Sequence, residues 1–357
     1  GLLLLLIEQP HIFVQQSPPH WVEIWLTNQY KKRHRKMLTP AAQDERDNKR
    51  QEAILLGLQE LEIWLHDLVR NGFAVVQGKP KSFWFQMANR LIDAQAGGLA
   101  HEIRQMANIP DKGTEWPEIL LKKVGRLHLL IQGFYHFETL PADVQADLRM
   151  AVGWLPKAET SETVLSIRDH WHVLGRHVDQ ENKQKIQRIW LWGERTNRAS
   201  LLINLVHRKQ MIDTSLIIGT AIDADLSFSL STTPLLAHVV KQFDTLQPTQ
   251  PVTGFQSIKT ATTAYAQTIT HNPWLPRFPM VLSSLIAMKE DGHWIVQDQE
   301  GSRLPLPDKY LYGWHLNALN LQRIPALFGN WNGTVFTPTA LWQQDRWLSL
   351  NILGGVR

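Results

Sequence analysis

The chain has 357 residues, 43% of them hydrophobic and 20% charged, which is enough apolar material for two or three packed domains. It contains no cysteine, and that excludes a disulfide framework, a thiol nucleophile and a cysteine-ligated zinc within it. The formal net charge of +4 is small for this length, so an acidic partner would have to be met by local clusters of basic residues.

The first element is the apolar run "GLLLLLIEQP". From Leu2 to Ile7 it is far short of the ~20 residues a spanning helix needs, and Glu8, Gln9 and Pro10 close it. It lacks the preceding basic residue and the following small-residue site of a secretory signal. It is expected to be a buried helical stretch whose covering partner lies upstream, which makes the chain a fragment. Trp21 to Leu38 reads as a helix with a cationic end, Lys31, Lys32, Arg33, His34, Arg35 and Lys36, stopped by Pro40. Between Lys31 and Arg50 eight Lys/Arg stand against three Asp/Glu, so the rest of the chain is close to neutral.

Ile54, Leu58, Leu61, Leu65 and Leu68 recur at alternating four- and three-residue steps before Asn71-Gly72, the stripe of a packed helix. Further helices are expected in "KSFWFQMANRLIDAQA", "GLAHEIRQMANI", "WPEILLKKVGRLHLLIQGFYHF" and "PADVQADLRMAVGW", and a last one over Thr160 to Leu174. From about Lys185 the texture changes to β-type runs: "IQRIWLWGER", "ASLLINLVH", "IDADLSFSL" and "HWIVQD". A helix is expected within Gln256 to Asn272, "LYGWHLNALN" fits helix or strand, and "GNWNG" reads as a tight turn between strands. The fold class is α+β, an all-helical N-terminal half followed by a β-rich C-terminal domain. The expected divisions are 1–40, a helical tail with the basic block; 41–178, a helical domain; and 179–357, the β-rich domain, with the boundary near Asp179. Most of the fifteen tryptophans should be core anchors and a few interface residues.

Three constellations bear on chemistry. In "RDHWHVLGRH", Asp169, His170, His172 and His177 gather metal-ligating side chains, and histidines two apart share a face only on a strand. The alternative is a solvated or hydrogen-bonded linker cluster, and that reading is preferred. Asp223 and Asp225 lie on one face of a strand and read as a polar sheet face, since no histidine or third acid is near them in sequence. The glycines form neither a G-x-G-x-x-G nor a P-loop, and "VLSSLIA" lacks a nucleophile elbow, so no catalytic residues are named and no enzyme is expected. The block Lys31, Lys32, Arg33, Arg35 and Lys36 suits nucleic-acid phosphates, through counterion release, or is a solvated helix end favoured by the macrodipole.

Five stretches resemble the bacterial SWIM zinc-finger family: "GLLLLL", "LGLQELEIWLHDLVRNGFAVV" and "FWFQMANRLIDAQAGGLAHEIRQMA", then "RIWLWGERTNRASLLINL" and "ALFGNWNGTVFTPTALW" in the β half. In that family a zinc-binding Cys-x-His pair runs directly into a Gly-Leu-rich helix. The resemblance therefore implies zinc in a full-length parent, with ligands upstream of Gly1 and none in this chain. It implies a non-catalytic module that contacts nucleic acid or protein in the cytoplasm, away from membranes. It further implies partnership with an AAA-type ATPase and a von Willebrand A-domain protein. The alternative is a protein-interaction scaffold that uses exposed tryptophans and no nucleic acid.

Overall fold

The computed structural model describes residues 40–350 apart from 111–112, 157–162, 182–183, 207–211, 249, 309 and 319–322. The run at Leu2 to Ile7, the helix expected over Trp21 to Leu38 and the basic block lie outside the described residues. The chain divides into two compact units, Gly1–Ala53 and Ile54–Arg357. The described part of the first is the opening of helix α1 (Pro40–Arg70), where Lys49 pairs with Glu45 at 2.6 Å, one turn away.

In the second unit α1 continues and is followed by α2 (Lys81–Asp93), α3 (Gly97–Met106), α4 (Trp116–Tyr135) and α5 (Ala142–Ala151). The stripe Ile54, Leu58, Leu61, Leu65 and Leu68 is buried, as its spacing predicts. It meets a matching stripe on α4, Leu120, Val124, Leu127, Ile131 and Phe134, while Leu91, Leu99 and Ile103 complete the core from α2 and α3. Each such side chain contributes about 1.5–3 kcal/mol when buried, so packing outweighs the few tenths that separate helix propensities. Pro117 in the first turn of α4 costs nothing, because the N–H it lacks would have no helical partner there. Gly98 and Gly153 let two backbones touch: Gly98 N donates to Val152 O at 2.9 Å, and a Cβ on Gly98 would lie 2.7 Å from Gly153 N.

Two antiparallel sheets follow. The first has the order β3-β2-β1-β4-β5, from β1 (Thr163–Glu181), β2 (Gln184–Gly193), β3 (Ala199–Val206), β4 (Ala221–Ser229) and β5 (Ala237–Leu246). It curls until its outer strands approach, where Leu201 N donates to Leu235 O at 2.7 Å. The helix expected over Thr160 to Leu174 is therefore a correction, because β1 already runs from Thr163 and the change from helix to strand precedes Asp179. Alternate residues Leu165, Ile167, Trp171 and Val173 fill the inside of the curl, with Asp169 in the same row. A register shift between Val173 and Gly175 then turns Leu174 outward, onto the second sheet.

That second sheet has the order β11-β10-β9-β6-β7-β8. Its strands are β6 (Phe278–Glu290), β7 (His293–Gln297), β8 (Arg303–Pro305), β9 (Ile324–Trp331), β10 (Phe336–Gln343) and β11 (Arg346–Ser349). One face meets the first sheet through Leu174, Trp190, Trp192, Phe328, Ala340 and Trp342. The other is covered by α6 (Ile258–His271) and α7 (Gly313–Ala318), so "LYGWHLNALN" is helical at its centre. The first turn of α6 is closed by Ser257 and Thr260, each side chain accepting from the other's backbone N–H. "GNWNG" forms the β9–β10 turn, in which Asn332 Oδ1 accepts from Thr334 N and Val335 N. No helix among the described residues is long and apolar enough to cross a membrane.

Candidate functional site

Asp169 is a carboxylate in an apolar row, and its surroundings explain how it is tolerated. It is fully buried. Its Oδ1 accepts from His170 N at 2.7 Å, Arg195 N at 3.1 Å and Arg195 Nε at 3.2 Å, and its Oδ2 from Thr196 N at 2.9 Å and Thr196 Oγ1 at 2.7 Å. Burial works to raise its pKa, but the hydrogen bonds from Thr196, Arg195 and His170 together hold it below the usual carboxylate range. The effect is to pin the β2–β3 turn to β1. Only glycine fits at 193, where a Cβ would come within 2.6 Å of Asp169 Oδ2.

The pinned turn carries Glu194 to the histidines of β1. Glu194 Oε2 lies 3.4 Å from His170 Nδ1 and 3.4 Å from His172 Nε2. The group opens on a cleft of about 250 Å3 that is also lined by Leu246, Gln247 and Gln250. His172 is buried with its Nδ1 unpartnered; burial lowers its pKa and Glu194 opposes that, leaving the ring neutral near pH 7. His177 is farther along β1, opposite Arg188, and does not line the cavity. The cluster is thus part of a sheet, where a linker was expected. Its donor atoms do not form a group of three all within 4.8 Å of one another, so it is a polar cleft without a preformed chelate. Glu194, 22 residues from His172, carried no signal in the sequence near the histidines.

The other candidates resolve more simply. Asp223 takes a two-pronged pair of bonds from Arg168, 3.0 and 2.8 Å, and Asp225 lies opposite Arg168 in the β1–β4 register. The Arg168 guanidinium also covers the Phe243 ring at 3.8 Å. This is the polar sheet face read from the sequence. Of the tryptophans, Trp314 on α7 stands out at 66% exposure, edge-on to buried Trp294 at 5.0 Å and beside Leu311 at 76%. Lys31, Lys32, Arg33, Arg35 and Lys36 lie outside the described residues.

Comparison with known proteins bears on the helical half. Residues 49–152 match the SWIM-associated four-helix bundle domain, a span that runs from within α1 to the end of α5. No curated protein and no solved structure matches the chain. The stretches that resemble SWIM proteins in the helical half, "LGLQELEIWLHDLVRNGFAVV" and "FWFQMANRLIDAQAGGLAHEIRQMA", fall inside the matched span. By that match the helical half carries a SWIM-associated bundle domain.

Proposed function

We propose that the chain is the non-catalytic body of a SWIM-type zinc-finger protein and acts by contact, with nucleic acid or with protein. The observation that carries this reading is the bundle match over residues 49–152. In the full-length parent the zinc would be held by cysteine and histidine, in a closed tetrahedral site that holds structure and leaves no catalytic position. This chain has no cysteine to contribute to it. The family resemblance adds a bacterial cytoplasmic setting and work beside an AAA-type ATPase and a von Willebrand A-domain protein. The basic block supports the nucleic-acid contact, because five cations within six residues would displace condensed counterions.

The test is a titration of duplex and single-stranded DNA at two salt concentrations. It compares the wild-type chain with one in which Lys31, Lys32, Arg33, Arg35 and Lys36 are all replaced by Gln. The salt slope should shrink by about one per phosphate contact removed, and binding should nearly vanish. Equal, weak binding by both proteins would reject nucleic acid as the partner of the block. The second reading, a protein scaffold, is favoured by exposed Trp314, the residue type that most often anchors an interface. It predicts that Trp314→Ala weakens capture of the ATPase partner while leaving the chain folded.

A further inference from the structure

Two polar stripes run beside the seam between α1 and α4. On α1, Glu62 and His66 are four residues apart, one position beyond buried Leu61 and Leu65, so they share a face at the rim of the core. On α4, His128, Gln132 and Tyr135 follow buried Leu127, Ile131 and Phe134 in the same way. The helices are antiparallel here, since Glu62 meets Gln132 and Tyr135 while His66 meets His128. Gln132 Nε2 donates to Glu62 Oε1 at 2.9 Å and Tyr135 OH to Glu62 Oε2 at 2.7 Å. The His66 and His128 ring centroids are 5.8 Å apart, and His128 Nδ1 is 4.0 Å from Glu62 Oε1.

We propose that Glu62, His66 and His128 form a transition-metal site of the zinc class that clamps α1 to α4 on the surface of the bundle. One donor atom from each residue lies within 4.8 Å of the other two, a property of no other trio among the described residues. Bonds of about 2.0–2.1 Å at tetrahedral angles put ligand atoms about 3.3 Å apart, so the 4.0 Å between His128 and Glu62 needs to close by less than an ångström. His66 is exposed and the His128 side chain is 45% exposed, so both rings can turn by that much. Two imidazoles and one carboxylate select zinc over calcium or magnesium, which prefer six or more oxygens, and three protein ligands leave a fourth position for water. The carboxylate is already aimed. Gln132 and Tyr135 each donate to one of its two oxygens, which fixes its orientation. This site uses no cysteine, so it is distinct from the cysteine-containing finger of the proposed function.

The experiment is calorimetric titration of ZnCl2 into the full chain after washing with chelator, with thermal melts at each stage. One zinc per chain with micromolar affinity and a raised melting temperature are expected. His66→Ala and His128→Ala should each weaken binding at least tenfold, and Tyr135→Phe by about tenfold through loss of the aiming bond. His170→Ala, in the other histidine cluster, should leave binding unchanged. Far-UV circular dichroism checks that the variants fold, and Co2+ on the wild-type chain should give tetrahedral visible bands whatever the variants do. No zinc uptake by the wild-type chain, uptake that survives both His66→Ala and His128→Ala, or uptake lost only in His170→Ala would each overturn the proposal.

Discussion

Asp147, in α5 of the bundle, accepts a 2.5 Å hydrogen bond from Ser231 Oγ, 84 residues later at the β4–β5 turn. The other carboxyl oxygen takes the Thr232 hydroxyl at 2.5 Å and Thr232 N at 3.1 Å, so one buried side chain fastens helix to sheet. Burial pushes its pKa up and these bonds oppose the rise. Asp147→Ala would leave three donors without an acceptor and should cost about 2–3 kcal/mol, whereas Ser231→Ala should cost about 1 kcal/mol. Urea denaturation of both variants measures this. Equal midpoints for Asp147→Ala and wild type would show that the joint carries no weight.

The approach of Gly98 to Gly153 makes a second prediction. A Cβ at 98 meets backbone on three sides, Gly153 N at 2.7 Å, Ala151 O at 2.8 Å and Val152 C at 2.8 Å, so Gly98→Ala must separate α3 from the end of α5. We expect a loss of about 1–3 kcal/mol. Gly125, inside α4, has no atom within 4 Å of its added Cβ, and Gly125→Ala should gain about 0.5–1 kcal/mol by limiting the unfolded chain. The two substitutions should move the thermal midpoint in opposite directions.

A third prediction concerns acid. Burial lowers the pKa of His172, so below the unfolded value of about 6.5 the unfolded chain binds a proton that the native chain refuses. Its stabilising effect is present above that pH and is lost as pH falls through it, at no more than about 1.4 kcal/mol per pH unit. The difference in urea midpoint between pH 7.5 and pH 5.5 should therefore be smaller in His172→Gln than in wild type. An unchanged difference would mean that His172 is not neutral in the folded chain.

Asp169→Ala removes the acceptor of five donors and should cost about 3 kcal/mol or more, with Arg195 and Thr196 released from β1. Amide exchange should quicken at residues 194–197 and stay slow in the bundle. Uniform quickening throughout would argue instead for global destabilisation.

The helical half was legible because its stripes are uninterrupted: every position of the series from Ile54 to Leu68 is apolar, and every one is buried. β1 was misread for a definite reason. Val164, Ile167, Trp171 and Leu174 fall at helical three- and four-residue steps, while the true alternation Leu165, Ile167, Asp169, Trp171 is broken by an acid at its centre. The hydrogen bonds that make Asp169 tolerable come from Arg195 and Thr196, which no local window contains. The same holds for the zinc-class trio. Glu62 and His66 are visible as a helical pair, but His128 joins them only through the antiparallel packing of α1 on α4.

The outward turn of Leu174 has a consequence for synthesis. Its neighbours there, Phe328 and Ala340, come from the last part of the chain, and Thr339, which donates to Leu174 O at 3.4 Å, is 165 residues downstream. At about 5–20 residues per second a ribosome needs roughly 10–30 s to make that interval. The bundle closes through partners nearby in sequence and can fold meanwhile, whereas the patch of the first sheet formed by Leu174, Trp190 and Trp192 waits, apolar and uncovered. Nascent chains stalled within that interval should be the ones chaperones retain, and release should follow emergence of β9 and β10.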